Sequence, residues 1–144
     1  MAERVAVTGA SGVVGGAAAR ALLARGDDVV AIQRGYVPPT LAALGAREFR
    51  ADVSGPVEVL AEAFAGCQAV VHAAARVDIT GPWEEYERAN VIGTRHALEA
   101  ARLAGVSRFV LVSSPSVAHA GHALVGAGAE PADPWNWIDR KSVV

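Results

Sequence analysis

With 144 residues, the chain can bury one ordinary hydrophobic core but not two domains of usual size. A formal charge of -2 over 13 basic and 15 acidic residues leaves no basic stripe for nucleic acid, and the single cysteine, Cys67, excludes an internal disulfide. Hydrophobic residues make up 52% of the chain, but charges and glycines interrupt them before any run reaches the about 20 residues a membrane span requires, so a soluble, cytoplasmic protein is expected.

Short β-branched runs alternate with alanine-rich stretches, the pattern of parallel strands joined by crossover helices. The first strand-like segment, RVAVT, begins at Arg4 and leaves no room for a targeting signal ahead of it. VVGGAAARALLARG then reads as a helix closed by Gly26. DVVAIQ (28–33) is a second strand; YVPPT breaks the chain, and a short helix is expected at LAALG. REFRAD (47–52) predicts a third strand, and PVEVLAEAFAG a helix with Pro56 in its first turn. QAVVHAA (68–74) is the fourth strand. Tyr86, Ala89, Ile92, Gly93, Ala97, Ala100 and Leu103 recur at helical intervals and predict one long helix from about Trp83 to Ala104. RFVLVS (108–113) is the fifth strand, as apolar as a strand covered on both faces. Beyond Ser114 the chain turns glycine- and proline-rich with no further element, and no internal repeat is present. His72, His96, His119 and His122 have no acid or cysteine at ligand spacing, so no metal site is expected.

Between the first strand and first helix, VTGASGVVGG places Gly9, Gly12 and Gly15. The first glycine permits a tight turn, the second lets backbone approach a pyrophosphate, and the third lets helix and sheet pack closely. The freed N–H groups and the helix dipole then face the anion. Such a triplet carries weight because it follows a strand and opens a helix within a βαβ unit.

The TGxxGxxG spacing, AD at the third strand, VVHAAA at the fourth, NVIGT in the long helix and LVSSPSV after the fifth strand occur in this order. In this respect the chain resembles the extended short-chain dehydrogenase/reductase superfamily, the branch of NAD-dependent epimerases, dehydratases and 3β-hydroxysteroid dehydrogenase-like proteins. The resemblance implies an α/β fold of Rossmann type: a doubly wound parallel sheet with strand order 3-2-1-4-5 and right-handed crossovers, truncated before strands 6 and 7. It places Gly9, Ser11, Gly12, Val13 and Val14 along the pyrophosphate, and Asp52 and Val53 at the adenine. Ala73, Ala74 and Ala75 would pass under the nicotinamide-side ribose, and Asn90 belongs to the family's helix motif. An acid after the second strand would bind both ribose hydroxyls and repel a 2′-phosphate; this chain has Gln33 and then Arg34, which favours NADP over NAD.

In the resembled family a serine three residues before a valine, just past the fifth strand, hydrogen-bonds the substrate carbonyl or hydroxyl. Ser114 with Val117 matches, leaving Ser113 to cap the strand. Proton transfer there belongs to a tyrosine four residues before a lysine. The only tyrosines here are Tyr36 and Tyr86, and the only lysine, Lys141, follows Trp137 at that interval. Residues 1–134 are therefore expected to form an incomplete NAD(P)-binding domain, and residues 135–144 a non-native or disordered tail. The ending DRKSVV is what GAT CGG AAG AGC GTC GTG encodes, a widely used sequencing adapter. Two readings follow: the cofactor-binding part of an oxidoreductase or epimerase/dehydratase acting on a small hydroxyl or carbonyl substrate, inactive and weakly cofactor-binding in this form, or a non-catalytic NADP-sensing regulator. A fifth strand without its sixth neighbour is expected to self-associate through its bare edge.

Overall fold

A computed structural model describes residues 1–78 and 80–114. Its five strands are β1 (Arg4–Thr8), β2 (Asp28–Gln33), β3 (Arg47–Arg50), β4 (Ala69–His72) and β5 (Arg108–Leu111). All pair in parallel, in the order β3-β2-β1-β4-β5 expected from the sequence. The helices are α1 (Val13–Arg25), α2 (Pro39–Ala43), α3 (Val57–Phe64), α4 (Trp83–Tyr86) and α5 (Gly93–Leu103).

Side chains alternate across each strand, so the apolar runs supply two cores at once. On one face Ala6, Val30, Ile32 and Val70 pack with Leu60 and Phe64 of α3 and with Ala97 and Ala100 of α5. On the other, Val7, Val29 and Ala31 meet Ala19 of α1 and Leu41 of α2. Small residues on α1, namely Gly15, Gly16 and Ala19, form its buried side. Gly26, at φ +91°, closes the helix in the left-handed conformation that glycine adopts without a Cβ penalty.

The termini of several elements differ from the sequence expectation. The third and fourth strands are shorter, at Arg47–Arg50 and Ala69–His72, because the chain leaves the sheet to form the loops that carry Asp52 and Ala73. The fifth ends at Leu111, although the Val112 N–H still reaches the His72 carbonyl at 3.0 Å. Among the described residues β5 lies at the sheet edge with Val110 52% exposed, so its apolar sequence is not matched by burial on both faces. Pro56 caps α3 rather than entering its first turn, and α2 begins at Pro39, ahead of the LAALG stretch.

The long helix is interrupted. Between α4 and α5, Glu87–Ile92 is wound as a π-helix, a form frequent at functional sites. The wider turn places Asn90 in the interior, and at its end Gly93 lies so near Val53 that a Cβ would stand 2.7 Å from Val53 Cγ2.

The two ends of the sheet have different chemistry. At the amino ends, Asp28 bridges Arg4 at 2.7 Å and Arg47 at 2.9 Å, and Glu3 pairs with Arg108. At the carboxyl ends lie the glycine turn, Gln33, Asp52 and Ala73. Connections from β1 lead to β2 on one side while β4 lies on the other, and the crevice at such a switch point is where open α/β sheets hold ligands.

Candidate functional site

Two adjoining hollows occupy that crevice, of about 330 and 390 Å³. They share Gly12 and the run from Ala73 to Ala75. Gly9, Ser11, Arg34, Asp52 and Val53 line the first; Val13, Val14, Gly15, Asn90 and Ser114 line the second. Every site residue named from the sequence thus borders one continuous groove.

The glycine turn follows from close packing. Gly9, at φ +68°, donates its N–H to the Ile32 carbonyl at 2.9 Å, and a Cβ there would meet Ala74 backbone at 2.8 Å. Gly12 caps α1 from an extended conformation, with no side-chain acceptor for the first-turn N–H groups and no acid in that turn. The positive end of a 13-residue helix is left to an anion from outside. Val13 and Val14 stand exposed at the same place.

On the adenine side, Asp52 Oδ1 accepts the Ser54 N–H at 2.9 Å and hydroxyl at 2.7 Å. Burial pushes the Asp52 carboxyl up, but the Ser54 hydrogen bonds and the nearby charges of Arg34 and Arg88 outweigh it and hold its pKa below the ordinary value. The group is an anion at neutral pH, with no donor on Oδ2 among the described residues.

Gln33 borders the same hollow, 6% exposed, with neither its amide nitrogen nor its amide oxygen hydrogen-bonded. Leaving such groups unpaired costs about 1–3 kcal/mol each, which a ligand hydroxyl would relieve. This orphaned carboxamide, together with a cradle at Gly9 and Gly12 free of Cβ atoms, fits a dinucleotide. Arg34 beside it is exposed and makes no ion pair among the described residues. Arg50, one strand over, lies over the Tyr36 ring at 4.7 Å.

The loop after β4 is held from two directions. Asn90 accepts the Arg76 N–H at 2.7 Å and donates to the Arg76 carbonyl at 3.0 Å, so this motif residue fixes the loop while bordering the groove. Arg76 pairs with Glu85 and, at 3.3 Å, with Asp78, and its guanidinium lies over the Tyr86 ring. The Tyr86 hydroxyl is within hydrogen-bonding distance of the Asp78 and Thr80 carbonyls. Sequence reasoning did not single out Arg76 or the π-wound turn; a periodicity of 3.6 carries no signal for a local change to wider winding.

His72 is buried at the end of β4, with Thr8 Oγ1 2.8 Å from Nδ1 and Thr94 Oγ1 3.1 Å from Nε2. Burial pushes its pKa down to about 4, so the ring is neutral. His96 Nδ1 lies 2.9 Å from the Gly55 carbonyl oxygen. His119, His122, Val117, Trp137, Lys141 and the tail at 135–144 lie outside the described residues. No described helix is long and apolar enough to cross a membrane.

Residues 5–136 match the NAD dependent epimerase/dehydratase family. A 2-alkyl-3-oxoalkanoate reductase of Stenotrophomonas maltophilia is 40% identical over 128 residues, 88% of this chain and 38% of that protein. A 3-beta-hydroxysteroid dehydrogenase of Mycolicibacterium neoaurum is 38% identical over 132 residues, 85% of this chain and 35% of that protein. The solved structure of MoeE5 in complex with UDP-glucuronic acid and NAD superposes with a TM-score of 0.76 at 30% identity, covering 96% of this chain and 46% of that one. The chain therefore spans about 35–46% of the length of these relatives. Because the family match takes in the glycine turn, the Asp52 loop and the run after β4 together, this protein belongs to the NAD-dependent epimerase/dehydratase family.

Proposed function

We propose that this chain is the cofactor-binding part of an NAD(P)-dependent oxidoreductase or epimerase/dehydratase acting on a hydroxyl or carbonyl substrate, and that it takes NADP in preference to NAD. A bound nicotinamide supplies hydride transfer. The chain's own residues do the rest: the first-turn N–H groups of α1 hold the phosphates, Asp52 accepts from the adenine amine, and the small Ala73–Ala75 run leaves room for a ribose. Ser114 borders the second hollow, at the position where the resembled family's serine meets the substrate oxygen, and this placement supports the enzyme reading over the sensor reading. The tyrosine and lysine of the proton-transfer step are absent from this sequence, so turnover is not expected of the chain by itself.

The observation that carries the NADP preference is the pair Gln33–Arg34: a neutral carboxamide where an acid would repel a 2′-phosphate, beside an exposed guanidinium at the same hollow that attracts one. Titration of the protein with NADPH and NADH is expected to favour NADPH. Replacing Gln33→Asp and Arg34→Ser together should reverse the order, changing the ratio of affinities by about tenfold to a hundredfold, the worth of one charge-assisted contact. Tighter NADH binding by the unaltered protein would overturn the assignment.

The exposed β5 edge supports a second expectation. Among the described residues Val110 and Leu111 lie on the edge strand of the sheet, which bears no proline, and a second copy adding its strand there would pair with that edge's backbone groups. Sedimentation velocity should show association that increases with concentration; a monomer at every concentration would refute it.

A further inference from the structure

Register makes Thr8 of β1 the partner of His72 of β4, and donor-acceptor counting then fixes the histidine's proton. The Thr8 oxygen accepts the Ala73 N–H and the Ala74 N–H, each at 3.2 Å. Both of its lone pairs are used, so the hydroxyl hydrogen points at His72 Nδ1, 2.8 Å away. Nδ1 must carry a lone pair, the neutral ring is protonated at Nε2, and Nε2–H donates to Thr94 Oγ1 at 3.1 Å. The opposite tautomer would crowd three N–H donors onto one hydroxyl and strand the Thr8 hydrogen in a site closed to solvent. The ring's neighbours are Thr8 on β1, Thr94 on α5 and the Phe109 ring on β5, and no charged group among the described residues bonds it.

We propose that His72 is a positioning residue of the groove: as the Nε2–H tautomer it orients the Thr8 hydroxyl, which ties the Ala73 and Ala74 N–H groups against the glycine turn and sets the gap between phosphate cradle and ribose floor. That gap is tight, since Ala74 backbone stands only 2.8 Å from where a Gly9 Cβ would be. Through Thr94 the same imidazole fastens α5 to the floor. What the floor carries rests on the cofactor reading above; the hydrogen-bond chain does not.

Long-range proton-nitrogen NMR of the histidine-labelled protein at neutral pH reads the tautomer directly. Nε2 should be protonated and Nδ1 bare, Thr94→Val should leave this unchanged, and Thr8→Val should release a mixture. A proton on Nδ1, or a tautomer that follows Thr94 rather than Thr8, overturns the proposal. In His72→Phe, amide exchange at Ala73 and Ala74 should quicken by about tenfold while the β1 amides keep their protection. His72→Gln, which retains a donor and an acceptor, should restore part of it and serves if the Phe variant does not fold. Exchange that rises equally throughout, or not at all, counts against a positioning role. NADPH affinity should fall in step with the quickened exchange; an unaltered protein that binds no dinucleotide would sink the cofactor reading and leave the tautomer result to decide this one.

Discussion

Gly15→Ala is expected to abolish dinucleotide binding and to cost about 3 kcal/mol of stability, at the upper end of what overpacking exacts. The added Cβ would lie 2.3 Å from the Gly9 carbonyl oxygen and 2.8 Å from its carbon, and both are backbone atoms. Neither partner can yield. Gly9 is held by its N–H to Ile32, by the Gly12 N–H on its carbonyl and by Ala74 beneath, while α1 is held by its buried face. Gly12→Ala, whose Cβ would stand 3.3 Å from the same oxygen, should be milder. Gly35→Ala, with no neighbour within 4 Å, should stay within about 0.5 kcal/mol of the parent. Urea denaturation together with NADPH titration checks the order, and a Gly15→Ala protein as stable and as avid as Gly35→Ala would contradict it.

Acid should weaken this fold well before Asp27 and Asp52 lose their charge. His72 has a folded pKa of about 4 against an ordinary 6.5, because burial disfavours the imidazolium. Above pH 6.5 the ring is neutral in both states and contributes no pH dependence. Between 6.5 and about 4 the unfolded chain binds the proton and the folded one does not, so stability falls with falling pH. The slope is about 1.4 kcal/mol per pH unit and the loss about 3 kcal/mol by the lower limit. Asp27 and Asp52, both held below their ordinary 3.8, keep their stabilising charge through this window and lose it only at lower pH. The Asp27 carboxyl owes its shift to the Glu3 N–H and to Arg25. Urea midpoints measured across the window should slope in the parent protein and flatten in His72→Gln. Equal slopes in the two would mean that another group carries the acid sensitivity.

The strands and the glycine turn were legible in the sequence because their signals are local, and the sheet order β3-β2-β1-β4-β5 followed from the family resemblance. Apolar runs such as DVVAIQ, the interval between Gly9, Gly12 and Gly15, and the left-handed stop at Gly26 each depend on residues a few positions apart. Family resemblance extended this to Asp52, Ala73–Ala75, Asn90 and Ser114, all of which border the groove. Other features needed the tertiary structure. Thr8 and His72 are 64 positions apart and meet only through the β1–β4 register; read along the chain, His72 was merely a histidine without metal-ligand neighbours. Gln33 could be seen as the absence of an acid, but its buried and unpaired amide emerges only once β1 and β3 flank β2. The π-wound turn that brings Asn90 to the Arg76 backbone lies inside a stretch whose spacing fits an ordinary helix. Periodicity records which face a residue shares with its near neighbours, whereas hydrogen-bond partners are chosen by whatever distant segment the packed sheet places beside it.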